Sequence, residues 1–359
     1  MNKNNSETVV INPIYLQKVI FNIFSALGVS AKDCELLAGI LLEASLSGYN
    51  SHGVMRIPVF VEGIQNGTIV PDAEIKILHE SLATASIDAN FALGPVSTVH
   101  AVRMAVGKAR ATGLGAVTVV NGNDIARLGS YMAGPVADGF IVMMMTNDAG
   151  GNPAVVPWGG VEPLLSTNPL AVGIPRKDEP PIIIDMSTAI VAEGKIKMRH
   201  KLGQDIPEGW LINNAGETET DPEAYLSTPR RAGLLPLGGM MSGHKGFALS
   251  LMVESLAGAL SGAGCSTGEV RETDRNGLFV LAIDPEKFCS RDSFVKEMEV
   301  FAQRLKQVRT MPGVEQVSIP GERAARQQDI HRNEGMQVDA ITWARIQEIM
   351  QTLGIKETA

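Results

Sequence analysis

Residues 113–120, Gly113-Leu114-Gly115-Ala116-Val117-Thr118-Val119-Val120, decide which kind of fold the chain can adopt. The glycines precede the apolar run, so the segment reads as a turn followed by a buried strand. A dinucleotide-binding fingerprint needs the opposite order, a strand and then GxGxxG opening a helix. No such segment follows the first strand, and no GxxxxGK[ST] loop, GxSxG elbow or HExxH pair occurs. Any nucleotide must therefore be held by another arrangement.

On both sides of that strand, short apolar runs alternate with Ala-rich helical stretches from about residue 76. Strands are expected at 84–87, 116–120, 140–146, 171–174 and 182–185, and helices at 96–112 and 132–138. The N-terminal part reads differently. Asn12 can cap, and Pro13 can occupy the first turn of, a helix with Ile14, Val19, Ile20, Ile23, Phe24 and Leu27 on its apolar side. Gly28 ends it, and Ser30 with Asp33 resembles a capping box opening a second helix that closes at Gly48. A short amphipathic stretch with Arg56, Ile57, Val59, Phe60 and Ile64 leads to a turn at Asn66-Gly67. A long helix begins at Gly243, and the last third is read as helical, notably 292–308 and 339–353. The expected fold is mixed α/β or α+β: a helical domain from residues 1–75 and 301–359 around an inserted α/β domain at 76–300.

Composition narrows the function. With 359 residues, 45% hydrophobic and 19% charged, the chain can bury two cores. A net charge of −8 with no basic face argues against a nucleic-acid partner. Cys34, Cys265 and Cys289 show no metal or disulfide spacing and read as buried or half-buried free thiols, so no metal is expected. The start, MNKNNSETVV, lacks a signal-peptide apolar core, and no run approaches the roughly 18 apolar residues of a membrane span. A cytoplasmic protein with no membrane partner is expected.

Three clusters could carry chemistry. His52 sits between Ser51 and Gly53 just after a helix end, with Arg56 four residues on. An imidazole of near-neutral pKa suits proton transfer to a carbonyl, Ser51 can orient it, and Gly53 would let a substrate approach. Arg56 supplies a fork for a carboxylate. Gly243-His244-Lys245-Gly246 opens a helix whose free N–H groups and Lys245 make either a phosphate site or a simple cap. Asp185 ends a strand before Met186-Ser187-Thr188, where it either caps a helix or holds a catalytic imidazole or cofactor.

Together these segments resemble the type-2 malate/L-lactate dehydrogenases. The resemblance rests on 51–56 (SHGVMR), 166–171 (STNPLA), 185–189 (DMSTA), 206–210 (IPEGW), 220–222 (TDP), 235–239 (LPLGG), 243–246 (GHKG) and 320–322 (PGE), in that order along nearly the whole chain. It implies a non-Rossmann fold, a homodimer with active sites at or near the interface, and hydride transfer between NAD(P)H and a small 2-oxo/2-hydroxy acid pair. NAD is the expected cofactor, with NADP as the alternative. The resemblance places the proton donor on His52, the carboxylate anchor on Arg56 and the supporting acid on Asp185. Cofactor contacts fall on Asp185, Met186, Ser187 and Thr188, on His244 and Lys245, and on Gly321 and Glu322; Thr167 falls beside nicotinamide and substrate.

One segment departs from the family pattern. Where relatives commonly carry Asn-Ser-Asn-His-Phe-Gly, this chain reads Asn121-Gly122-Asn123-Asp124-Ile125-Ala126. Asp124 is an anion at neutral pH and disfavours a second anion nearby unless paired. It would suit a nitrogen-bearing substrate, so a cyclic-imine reductase is an alternative, and a non-redox organic-acid binder is a second.

Overall fold

The structure is a computed structural model that describes residues 8–149, 151–177, 179–268 and 275–356. β1 (Thr8–Ile11) leads into α1 (Pro13–Ala26), where Asn12 Oδ1 accepts from the N–H of Ile14 at 2.8 Å. α2 (Ala31–Leu46) opens at Ser30, whose Oγ accepts from the Asp33 N–H and donates to the Asp33 carboxylate. A 3₁₀ turn at Asn50–His52 and α3 (Arg56–Gln65) follow. The middle of the chain contains β2 (Lys76–Glu80), β3 (Thr84–Asp88), α4 (Gly94–Thr112), β4 (Leu114–Gly122), α5 (Ala133–Ala137), β5 (Ile141–Asp148), β6 (Leu170–Ile174), β7 (Ile182–Met186) and α6 (Glu193–Lys201). Next come β8 (Leu211–Asn213), β9 (Thr218–Glu219), α7 (Pro222–Leu226), β10 (Ala232–Leu234) and α8 (Gly239–Val253), which continues into a π-helical turn, Glu254–Ala259. The rest is β11 (Asn276–Ile283), α9 (Arg291–Lys306), α10 (Glu322–Glu334), β12 (Met336–Asp339) and α11 (Ala340–Thr352).

The main sheet has seven strands in the order β2-β3-β4-β11-β5-β6-β7. Only β3 and β4 run parallel, joined by the α4 crossover; every other pair is antiparallel. The strand at 113–120 therefore stands where its sequence puts it, beside the sheet's centre. The centre itself is β11, in a region read as helical. Its Val280 and Ala282 are fully buried, and helices cover both faces, so its apolar run lacks the alternation that marks a strand. β8, β9 and β10 form a separate three-stranded sheet.

The two chain ends share one core, as the fold expectation required. β1 pairs antiparallel with β12, Thr8 opposite Asp339. Leu16, Ile20, Phe24, Leu37 and Leu41 pack there with Met336, Val338, Trp343 and Ile346, each large side chain contributing about 1.5–3 kcal/mol on burial. A second core lies under the sheet around Ile87, Val117, Val142 and Val280. α9 runs across residue 300, with Ala302 packed on Ile182 and Ile319.

Two local expectations need correction. α8 starts at Gly239, and a break at Ser242 (φ −144°) makes Gly243 the start of its continuous run. Cys34 is buried and Cys265 partly so, but Cys289 is exposed; burial pushes the Cys34 thiol up to about 11. Among the described residues no helix is long and apolar enough to cross a membrane, and no group of His, Cys, Asp and Glu could hold a metal ion.

Candidate active site

α2 ends at Leu46, Gly48 just beyond it takes the left-handed region at φ 83°, and the chain folds back so that the His52 N–H donates to the Tyr49 carbonyl at 2.9 Å. Gly53 is required here for a reason other than substrate access. A Cβ would lie 2.2 Å from Ser45 Oγ and 2.8 Å from the Leu41 carbonyl, so the turn packs directly on α2. Ser51 Oγ and His52 Nδ1 are 3.0 Å apart, which fixes the ring plane and leaves Nε2 for a reacting group. Burial holds the His52 pKa below the ordinary histidine value. The nearby Arg56 charge acts in the same direction, Asp124 and Asp185 oppose it, and Arg127 adds to the lowering.

Arg56 is the first residue of α3, one turn beyond His52. Its Nη1 pairs with Asp124 Oδ2 at 2.8 Å, while its Nε is buried without a partner. The anion flagged at position 124 thus has its counter-charge in Arg56. Asp124 Oδ1 also accepts from the Ala126 N–H at 2.7 Å, with Ala126 in a left-handed conformation (φ 60°). The loop is held from behind: Asn123 Nδ2 donates to the carbonyls of Phe91 and Ala92 at 3.0 and 3.1 Å.

Asp185, on β7, does not cap a helix. Its Oδ2 accepts from Arg127 Nε at 2.9 Å and from the Gly129 N–H at 3.1 Å. Arg127, only 6% exposed, also donates to Glu43 of α2 at 3.2 Å and lies 4.2 Å from the Tyr49 ring centre. Arg323 of α10 donates to the Tyr49 hydroxyl at 2.7 Å. Sequence reasoning missed Arg127, Glu43 and Tyr49. The available signal was a lone arginine between Ile125 and Leu128, both of which are buried.

Of the remaining candidates, Thr167, Ser187 and Thr188 meet at the end of β7. The Thr167 carbonyl accepts from Ser187 Oγ at 2.9 Å, the Thr188 N–H at 3.0 Å and Thr188 Oγ1 at 3.1 Å. The Thr188 carbonyl accepts from the Leu237 N–H at 2.8 Å, and Gly246 of α8 packs on Leu237 so closely that a Cβ would meet its backbone at 2.4 Å. Asn168 (φ 37°) ties this turn to α8, donating to Ser250 at 2.9 Å and to the buried Glu254 at 2.8 Å. His244 and Lys245 project outward, His244 edge-on to Trp158 at 6.0 Å, and Met186 is also exposed. Gly321 lies at the other end of β7, where the Ile183 N–H donates to the Pro320 carbonyl at 3.0 Å. Glu322 is turned away into an ion cluster with Lys306 at 2.5 Å and Arg176 at 3.9 Å. Burial there works to raise its pKa, but the Lys306 hydrogen bond and the Ile319 N–H outweigh it and hold the carboxyl below the usual range.

The family profile described as malate/L-lactate dehydrogenase matches residues 11–347. The chain belongs to that family. It is 34% identical to the malate dehydrogenase of Pyrococcus horikoshii over 94% of this chain and 93% of the relative. It is 34% identical to the malate/(S)-sulfolactate dehydrogenase of Methanothermus fervidus, covering 98% and 100%. A Δ1-pyrroline-2-carboxylate/Δ1-piperideine-2-carboxylate reductase of Pseudomonas putida is 31% identical over 99% and 100%. Among solved structures, malate dehydrogenase from Entamoeba histolytica superimposes with a TM-score of 0.93 at 26% identity over 98% and 100% of the two chains. As a member of the malate/L-lactate dehydrogenase family, the chain is an oxidoreductase of 2-oxo and 2-hydroxy acids, and its relatives imply a nicotinamide cofactor.

Proposed function

We propose that the chain reduces the carbonyl of a small 2-oxo acid with His52 as proton donor, Arg56 as carboxylate anchor and Asp185 as the supporting anion. The observation that carries this is the His52 imidazole set beside the partly exposed Arg56 guanidinium, with the Asp124 and Asp185 carboxylates acting on the same ring. A substrate carboxylate on the exposed part of the Arg56 guanidinium adds a charge-assisted hydrogen bond. His52, with its lowered pKa, is a stronger acid when protonated; it gives its proton to the carbonyl oxygen as C2 is reduced, and Ser51 keeps the ring aimed. Asp185, fixed by Arg127 and Gly129, stabilises the charged ring electrostatically.

The residues around β7 fit a nicotinamide dinucleotide. Lys245, exposed beside the break at Ser242, offers a cation for a pyrophosphate. Met186, Ser187, Thr188, Thr167, His244 and the Gly321-Glu322 backbone would border it. When bound, the reduced nicotinamide supplies the hydride. NAD is the preferred form in this reading, with NADP as the alternative, and the working unit is a cytoplasmic homodimer. The Asp124 carboxylate, 2.8 Å from Arg56, favours a second reading in which a cyclic imine replaces the oxo acid.

Fluorescence titration with NADH and NADPH, followed by an absorbance screen of 2-oxo acids and cyclic imines, tests both. Saturable binding of one cofactor and turnover of a 2-oxo acid are expected. No binding of either cofactor would return the chain to a non-redox organic-acid binder.

A further inference from the structure

The charges that could receive a substrate's anionic groups are largely committed. Arg56 is paired with Asp124 through Nη1 and its Nε is buried, leaving only the exposed remainder of its guanidinium. Arg127 is shared between Asp185 and Glu43. Asp124 cannot easily swing aside, because Ala126 holds its second oxygen. Its loop also packs on α4, where a Cβ at Gly94 would lie 2.1 Å from the Asp124 carbonyl. The Asp124 carboxylate therefore remains as a fixed, partly exposed anion beside the place where the substrate's carboxylate docks.

We propose that Asp124 is a specificity-determining residue that restricts this site to 2-oxo acids with a single anionic group and admits a hydrogen-bond-donating or cationic substituent beside its carboxylate. This rests on the reading in which Arg56 receives the substrate carboxylate. One carboxylate fits on that exposed remainder, against a pair that is already neutral overall. A second carboxylate or sulfonate finds no free guanidinium and meets Asp124 as a like charge. At contact distance and protein-like screening that repulsion is large, and partial exposure of the pair reduces it to about ten-fold or more in rate constant.

The test is kcat/KM with saturating reduced cofactor for 2-oxobutyrate, oxaloacetate and Δ1-piperideine-2-carboxylate, in the wild type, Asp124→Asn and Asp124→His. Asparagine keeps the acceptor for the Ala126 N–H and loses only the charge. The wild type is expected to favour the single-carboxylate substrates over oxaloacetate at least ten-fold, and both substitutions to raise oxaloacetate's kcat/KM about ten-fold more than that of 2-oxobutyrate. Equal use of oxaloacetate and 2-oxobutyrate by the wild type, or equal changes for both in the variants, overturns the proposal. Calorimetric titration of the holoenzyme with oxamate, a single-carboxylate analogue, separates the levels. Oxamate binding that Arg56→Met abolishes, without the charge preference, removes only the role of Asp124; oxamate binding unaffected by Arg56→Met removes the Arg56 reading and this inference with it.

Discussion

Replacing Arg127 with methionine keeps most of the side-chain stem and removes the charge that joins α2, Tyr49 and β7. Two carboxylates then lose their guanidinium. Removing one partner of a buried pair costs about 3–5 kcal/mol when the other charge is stranded. Here the loss is moderated, because Asp185 keeps the Gly129 N–H and Glu43 keeps Ser47 at 2.8 Å and Gln328 at 3.0 Å. That leaves about 2 kcal/mol, and the lost stacking of the guanidinium on Tyr49 adds about 0.5–1 kcal/mol. At about 2 °C per kcal/mol for a chain of this size, Tm falls by about 5 °C in differential scanning calorimetry at pH 7. The companion Glu43→Gln/Arg127→Met variant regains part of the loss, since one stranded anion is gone. A Tm within 1 °C of wild type, or losses that simply add in the double variant, would refute the reasoning that Arg127 compensates these acids.

Because the folded-state pKa of His52 lies below its unfolded value of 6.5, the folded protein binds fewer protons than the unfolded chain between the two values. His52 therefore contributes stability above pH 6.5 that is lost as pH falls through the folded value; His52→Gln flattens this acid limb in denaturant titrations. The same shift extends the plateau of kcat/KM for 2-hydroxy acid oxidation, which needs the neutral imidazole, to below pH 6.5 in pH–rate profiles. Glu254→Gln turns an amide NH₂ toward a donor whichever way it flips, Asn147 on the Oε2 side or Asn168 on the Oε1 side, costing about 1–3 kcal/mol by chemical denaturation. Gly246→Ala forces α8 off Leu237, costing about 1–3 kcal/mol and weakening cofactor binding in fluorescence titrations.

The helices at the chain ends were legible because their signals are local: Asn12 and Ser30 cap where their side chains allow, and apolar residues recur at helical spacing. β7 and Asp185 were legible as a strand ending in an acid. β11 was not, since a strand covered on both faces looks like any short apolar run. In the site, His52 and Arg56 lie on one turn and can be read together. The partners of Asp185 and Asp124 cannot: Arg127 meets residues 58 and 84 positions away, and Asp124 finds Arg56 through tertiary packing of α3 against the loop after β4. Gly53 shows the converse error, a glycine assigned to ligand access that packing on Ser45 explains.

The central claim, that His52 moves the proton, is tested most directly by single-turnover reduction of a 2-oxo acid by wild type and His52→Ala, with cofactor affinity measured in parallel. The account predicts a rate constant lower by about 10²–10⁴ with cofactor Kd within about two-fold. An unchanged rate constant in His52→Ala would contradict it.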